Sequence, residues 1–373
     1  MSSYKLVFSI LLFLHGSIHG IGFLRAFNLI NTSILPEDIS RSVGLLWLFA
    51  GVLFLVSMGG HAYGFYWWFQ LAVLAVILSQ VLIIMMWKDS KFGTIPNCII
   101  LVVAFITWGA NRFNAQVHQE QRIFLQKVPS NLSATISAGS IQNLPPIVRK
   151  WLDFSKVIDK PKASFVRLKQ TGAMKTKPDG DWMSFEAVQY INTSNPEFIW
   201  TVNVTMNPLV HLYGRDRLTA NEGEMLIKLL GWFNVVNEGP SVQMNTGAKI
   251  RYLGEMCWYP SMATSEYISW QELTPLRVKA TLEDGDSEVS GIFNFDESGQ
   301  ILSFEADRYY GGNANAERER WVVNILEYKE LDGKILPSTC EVTWKFKTGD
   351  FTWLQLEIEE LNSNVFKLYE PVD

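Results

Sequence analysis

Charge is spread along this chain in a way that few folds accommodate. Residues 1–110 carry eight formal charges: Lys5, Arg25, Glu37, Asp38, Arg41, Lys88, Asp89 and Lys91. The remaining 263 residues carry 61. Between the first eight run four apolar stretches, 6–24, 43–60, 65–87 and about 95–110. A helix of roughly 20 apolar residues crosses ~30 Å of hydrocarbon. The pattern therefore predicts a four-span transmembrane domain over 1–110. Pro96 suits a first helical turn, and Tyr66, Trp67, Trp68, Trp87 and Trp108 fall near the ends, where amphipathic rings are favoured. A buried globular bundle would not confine its charges to the connections. The first stretch follows a single Lys and precedes no small-x-small cleavage site, so it reads as a retained helix. Lys and Arg number four on each side of the predicted membrane, so the positive-inside rule does not choose an orientation.

The sharpest membrane motif is His15-Gly16-Ser17-Ile18-His19-Gly20. Its histidines are four apart and share one helix face. Gly16 and Gly20 form a small-xxx-small pair that permits close backbone approach. Two readings stand side by side. In one, a neutral histidine pair hydrogen-bonds across a tight helix interface. In the other, His15 and His19, with His61 after the second span, hold haem or a metal, and the chain is a membrane enzyme. No carboxylate or thiolate lies nearby to complete such a site, so no cofactor or metal is assigned. Gln70 and Gln80 are expected to tie helices together.

Residues 111–128 read as the fourth helix leaving the bilayer, and 130–142 as a linker. Asn143-Leu144-Pro145-Pro146 then opens a helix through about Phe154, with Ile147, Val148, Trp151, Leu152 and Phe154 at its apolar positions. From Ala163 the dominant period is two. Phe198, Trp200, Val202, Val204 and Met206 alternate with Ile199, Thr201, Asn203 and Thr205. Leu276, Val278, Ala280 and Leu282 form a second such run, and Cys340, Val342, Trp344 and Phe346 a third. Asp284-Gly285, Ser298-Gly299, Asp332-Gly333 and Gly349 punctuate them, so the strands are antiparallel. About nine to eleven strands are expected in one curved meander. Over 245–259 the spacing turns helical, with Ile250, Leu253 and Cys257 in register, Asn245 or Thr246 as cap and Pro260 after the end. The expected class is a four-helix transmembrane bundle plus an α+β domain over 143–373. That domain is a large, half-barrel-like antiparallel sheet with a few packed helices.

The soluble part resembles an uncharacterised bacterial family built on a domain of unknown function. The resemblance runs over about 140–365 and is carried by ordered blocks. These are the run from Asn143 to Leu152, Leu168 to Met174, Pro196 to Trp200, Arg215-Asp216, Ile227 to Gly231 and Arg251 to Pro260. Ser269-Trp270, Phe304 to Tyr309 and Glu341 to Trp344 follow. Arg217 departs from the small or aromatic residue expected after Arg215-Asp216. The sheet-plus-helix plan is also similar to the lipoprotein-carrier fold, an incomplete barrel whose concave face shelters acyl chains. That similarity implies a hydrophobic ligand, a role in the cell envelope of a bacterium and an extracytoplasmic soluble domain.

Chemistry-bearing motifs are sparse. After the linker there is one histidine, His211, and His118 precedes it; no HExxH, CxxC, GxSxG or phosphate-loop pattern occurs. The net charge of -5 without a basic patch argues against nucleic acid as partner. The candidate ligand-binding residues are Arg215, Asp216, Arg251, Glu255, Trp258, Tyr259, Trp270 and Tyr309. Arg251 and Glu255, four apart, form either a helix-surface ion pair or a polar anchor at a pocket rim. The aromatics either line a hollow or fill a core. Three functions follow: a membrane-anchored binder of a lipid or other hydrophobic ligand, the membrane enzyme above, or a structural or sensory module meeting another envelope protein.

Overall fold

The computed structural model describes residues 3–30, 39–129, 134–285 and 287–370. The start of the expected linker, 130–133, lies outside them. The chain divides into two units, Met1–Asn114 with Pro371–Asp373, and Ala115–Glu370.

In the first unit, α1 (Ser3–Ala26), α2 (Arg41–Ala62) and α3 (Trp68–Met85) are followed by a short α4 (Trp87–Ser90) and a 3-10 turn. Then comes α5 (Thr94–Lys127), which runs unbroken past the apolar stretch, as the polar 111–127 segment predicts. Among the described residues four helices are long and apolar enough to cross a membrane. Ser40 caps α2 by accepting from the Val43 N–H.

The approach of α1 to α2 rests on Gly16 and Gly51. A Cβ on Gly51 would lie 2.8 Å from the Gly16 carbonyl oxygen, and one on Gly16 would lie 2.9 Å from the Phe54 Cβ. Gly20, the expected partner of Gly16, faces open space; Gly22 takes that place, against the Trp47 ring. The contact seam steps by three, through Gly16, His19 and Gly22, so Gly20 falls beside it. Gly51→Leu is expected to cost about 1–3 kcal/mol through overpacking, against little for Gly20→Leu. Thermal unfolding of the detergent-solubilised protein checks this; equal losses would contradict it.

The second unit is built on one open antiparallel sheet. Its strands are β1 (Phe165–Met174), β2 (Met183–Asn192), β3 (Glu197–Asn207), β4 (Val210–Thr219), β5 (Glu222–Leu229) and β6 (Phe233–Glu238). After an excursion come β7 (Ile268–Thr274), β8 (Arg277–Asp284), β9 (Ser287–Phe295) and β10 (Ile301–Tyr309). The last are β11 (Arg318–Leu331), β12 (Lys334–Phe346) and β13 (Gly349–Ser363). The described residues thus hold 13 strands, in the order β6-β5-β4-β3-β2-β1-β13-β12-β11-β10-β9-β8-β7. The expected nine to eleven was too few. The unread strands include β6, which is largely exposed and has no buried face to impose alternation. At the β11–β12 turn Asp332 and Gly333 both take positive φ, 52° and 68°, the geometry that an Asp-Gly hairpin favours.

The excursion holds α7 (Val242–Gly254), two short 3-10 turns, and no strand. Ser241 caps α7 through the Met244 N–H, four or five residues before the expected Asn245 or Thr246, and the α-helix ends at Gly254 rather than near Tyr259. One helix touches both limbs of the sheet: β4 and β5 on one side, β8, β9 and β10 on the other. A flat sheet would hold those limbs many strand widths apart, so it curls around α7. It stays open, with β6 and β7 as edges. A second helix, α6 (Pro146–Phe154), starts at the expected Pro146 and buries Ile147, Val148, Trp151 and Leu152. Trp151 stacks on Phe293 at 6.2 Å and meets Trp270 and Phe295.

On the other, convex face the last turns of α5 belong to this unit. Phe124 and Val128 pack with Phe165, Tyr190, Ile199 and Tyr369. Gln121 donates to the Thr201 hydroxyl at 3.3 Å.

Candidate functional site

Strand register decides which side chains meet inside the curl. Pairing places Trp200 opposite both Gln189 and Asp216, and Val202 opposite both Ala187 and Gly214. Asp216 in turn faces Met225, and Gly214 faces Ile227. Gln170 and Gly172 on β1 face Ala187 and Phe185 on β2. On the far limb Trp321 stands opposite Ala306 and Trp344, and Val323 opposite Val342. Side chains two apart share a face, so these rows form one concave wall.

Between that wall and α7 lies a cavity of about 230 Å³. Met174, Met183, Phe185, Val202, Val204, Leu212, Met225 and Ile227 line it from β1–β5. Trp321, Val323, Val342, Leu354 and Leu356 line it from β11–β13, and Arg251, Glu255, Cys257 and Trp258 come from α7 and the turn after it. Gly247, Arg251, Gly254 and Trp258 recur at helical spacing, so α7 and its continuation turn one face inward. Gly172 shows how tightly the β1 wall is drawn. Its φ is 157°, and a Cβ there would lie 2.0 Å from the Gln355 carbonyl oxygen.

The polar groups of the cavity are concentrated around one arginine. Arg251 Nη1 donates to Asp216 Oδ2 at 2.7 Å, and Arg251 Nε to Glu255 Oε1 at 2.7 Å. The Gln189 side-chain amide donates to Glu255 Oε2 at 2.6 Å. The guanidinium lies over the Phe198 and Trp200 rings at 5.0 and 4.7 Å. Burial disfavours the charge on Arg251, but Glu255 and Asp216 outweigh it, and its pKa is raised. Gln170 accepts from the Trp200 indole N–H at 2.8 Å.

Of the residues singled out from the sequence, Arg251, Glu255, Trp258 and Asp216 meet in the cavity. Arg215 borders it, yet its side chain serves the convex face. There Arg215 pairs with Glu120 of α5 at 3.1 Å and Glu224 at 3.0 Å, and Arg217 pairs with Glu224 at 2.6 Å. Neighbouring residues of a strand point to opposite faces, so Arg215 and Asp216 never act as a pair. Arg217 finds its use here, as the second cation of the cluster. Tyr259, Trp270 and Tyr309 are not in the cavity wall. Tyr259 is buried behind α7 and donates to the Tyr252 carbonyl at 2.6 Å. Trp270 packs on Trp151 and Phe293 and donates to the Ala263 carbonyl. Tyr309 lies under Arg318. Gln170, Gln189, Trp200, Arg308, Trp321 and Trp353 were not foreseen as cavity or network residues. Their signal is cross-strand register, which no local pattern carries.

One carboxyl of the convex cluster is shifted. Burial raises the pKa of Glu224, but Arg217 and Arg215 outweigh it and hold the carboxyl below the ordinary glutamate range. A depressed carboxylate stabilises the fold fully above its unfolded pKa and stops doing so as pH falls through its folded pKa. Glu224→Gln is therefore expected to flatten the loss of stability below pH 4.5. Urea midpoints between neutral and acid pH measure it; an unchanged acid slope would count against the cluster.

Nucleophilic chemistry finds little here. Cys257 borders the cavity, but burial, with Cys340 and Glu255 nearby, pushes its thiol well above the ordinary value, so it stays protonated. Cys257 and Cys340 are both free and buried. His211 sits on the same face of β4 as Arg215 and bonds Asn203 at 2.9 Å, away from the cavity.

His15 and His19 of the first unit are committed to a closed network. One assignment matches every donor to an acceptor. His15 Nε2–H donates to Asn97 Oδ1 at 2.8 Å. The Asn97 amide donates to Ser79 Oγ and Gln80 Oε1. The Ser79 hydroxyl donates to His19 Nε2 at 2.9 Å, and His19 Nδ1–H donates to the His15 carbonyl at 2.8 Å. Both rings are neutral in this scheme, and α1, α3 and α5 are tied together as the packing reading expects. Gln80 takes part, while Gln70 is exposed. His61 stands apart, edge-on to Phe8 and Trp68. Among the described residues no cluster of three or more His, Cys, Asp or Glu is placed to hold a metal ion.

Residues 134–356 match the model of a family of unknown function, DUF6544. The chain belongs to this family. The match starts just before α6 and ends within β13, so the family domain contains the cavity and all its polar groups. No curated protein matches the sequence. Among solved structures, a DUF1329 family protein from Desulfovibrio piger is similar at 6% identity and a TM-score of 0.33, over 59% of this chain and 92% of that one. A putative outer membrane lipoprotein-sorting protein domain from Vibrio parahaemolyticus is similar at 10% identity and a TM-score of 0.30, over 54% and 86%.

Proposed function

We propose that this DUF6544 chain is a membrane-anchored protein whose sheet domain binds a hydrophobic ligand in the cavity between α7 and the concave sheet. The observation that carries the reading is the cavity itself, about 230 Å³ with walls almost wholly apolar. It falls somewhat below the ~300–1,000 Å³ of drug-sized sites, which suits one acyl chain or a tail of similar girth. Each methylene moved from water into such a space contributes about 0.8 kcal/mol. The inward carboxylates, Asp216 and Glu255, are paired with Arg251, so they shape one end of the site without closing it. Membrane-crossing helices on the same chain keep the domain beside a supply of apolar molecules.

Met225 tests the reading because it lines the cavity and is only half-buried. The probe is a fatty methyl ester bearing a photoreactive diazirine, added to the full chain in lipid nanodiscs. Adducts are expected on peptides from β2–β5 and α7, displaced by excess unlabelled ester. Met225→Trp is expected to reduce them several-fold by filling the space. Adducts confined to α1–α5, or undiminished in the variant, would overturn the proposal.

A further inference from the structure

We propose that the ligand is a single-chain amphiphile with an anionic head, a carboxylate or phosphate, and that the head is held by Arg308. The inference rests on the cavity being a hydrophobic-ligand site and adds the chemistry of the ligand's polar end.

Two arginines border the cavity from its inner side, and their surroundings differ. Arg251 contacts two carboxylates, Asp216 and Glu255. Arg308, on β10, contacts none. Its Nε donates to the Gly247 carbonyl at 3.0 Å, and its guanidinium stands over the Trp321 and Trp344 rings at 5.1 and 5.8 Å. Stacking against indole faces leaves the in-plane edge of the guanidinium open. That edge carries four Nη hydrogens, in the fork that matches a carboxylate or phosphate. The electrostatics agree with the geometry. Burial pulls the Arg308 pKa down to about 10, although Asp216 and Glu255 act to raise it. Those carboxylates are spent on Arg251, and the second cation stays charged at neutral pH with no carboxylate in contact.

The tail then follows the apolar rows of β1–β5 and β11–β13.

The test compares a diazirine-bearing fatty acid with its methyl ester, which keeps the chain and the carbonyl and removes the charge. Both are added to the full chain in nanodiscs, with adducts mapped to the cavity peptides. The acid is expected to label at about tenfold lower concentration than the ester, the scale of a charge-assisted hydrogen bond. In Arg308→Gln the two are expected to label alike while ester labelling persists. Arg308→Lys, which keeps the charge, is expected to retain a preference for the acid and decides the matter if the glutamine variant does not fold. Dodecyl phosphate is expected to compete with the acid, and inorganic phosphate alone is not. Equal labelling by acid and ester in the wild type would overturn the anionic head and leave the cavity reading standing. So would a preference that survives Arg308→Gln. Cavity labelling by neither probe would overturn both readings.

Discussion

Replacing Arg251 by Met is expected to destabilise the sheet domain by about 3–5 kcal/mol, the cost of stranding buried carboxylates without their partner. Both partners are well buried, with side-chain exposures of 6% for Asp216 and 11% for Glu255. The loss is structural as well as electrostatic. Arg251 is the point at which α7 is tied to β4 through Asp216 and to β3 through the Phe198 and Trp200 rings. Chemical denaturation followed by tryptophan fluorescence measures the effect. The control is the triple variant Arg251→Met, Asp216→Asn, Glu255→Gln. Removing both negative charges is expected to recover most of the loss, because a buried ion cluster replaced as a whole costs far less than one broken in part. A single variant as stable as the wild type, or a triple variant no better than the single, would contradict this account.

The second large effect is expected at Trp151. It is fully buried at the end of the sheet domain, in contact with Phe293, Phe295 and Trp270. Trp151→Ala is expected to cost about 3–5 kcal/mol through lost transfer free energy and the space left behind. Its indole N–H has no partner, so Trp151→Phe forfeits no hydrogen bond and is expected to cost much less than the alanine variant. The same denaturation series separates them. Equal losses from Phe and Ala would show that something other than packed volume holds this end of the fold.

The parts of this architecture that rest on local pattern were legible in the sequence. Hydropathy located the helices long and apolar enough to cross a membrane, and the polar 111–127 segment foretold the extended end of α5. Pro145-Pro146 and the Ile147, Val148, Trp151, Leu152 stripe placed α6. Period-two alternation found β3, β8 and β12, whose inner faces are buried. Elements without such a face were missed. β6 is exposed along most of its length, and the first turn of α7 depends on its Ser241 cap rather than on an apolar stripe.

The candidate site divides along the same line. Helical spacing brought Arg251 and Glu255 together. Joining them to Asp216 required the β3–β4 register and the curl of the sheet around α7. The same register sends Arg215 to the opposite face, a consequence of strand alternation that its adjacency to Asp216 concealed. Arg308 carried no local signal, since a single arginine in a strand resembles any other. Only the fold sets it on Trp321 and Trp344, more than fifty residues from the Arg251 cluster.

The central claim is that the cavity between α7 and the concave sheet holds a hydrophobic molecule. The most direct measurement is mass spectrometry of the intact full-length protein, released from its own membranes under conditions that preserve non-covalent ligands. The account predicts a bound species of lipid mass on the wild type. It should resist dilution that strips loosely held lipid and be strongly diminished in Met225→Trp. A wild-type protein that carries no such species and takes none up when offered fatty acid, or one whose bound lipid is the same in Met225→Trp, would contradict it.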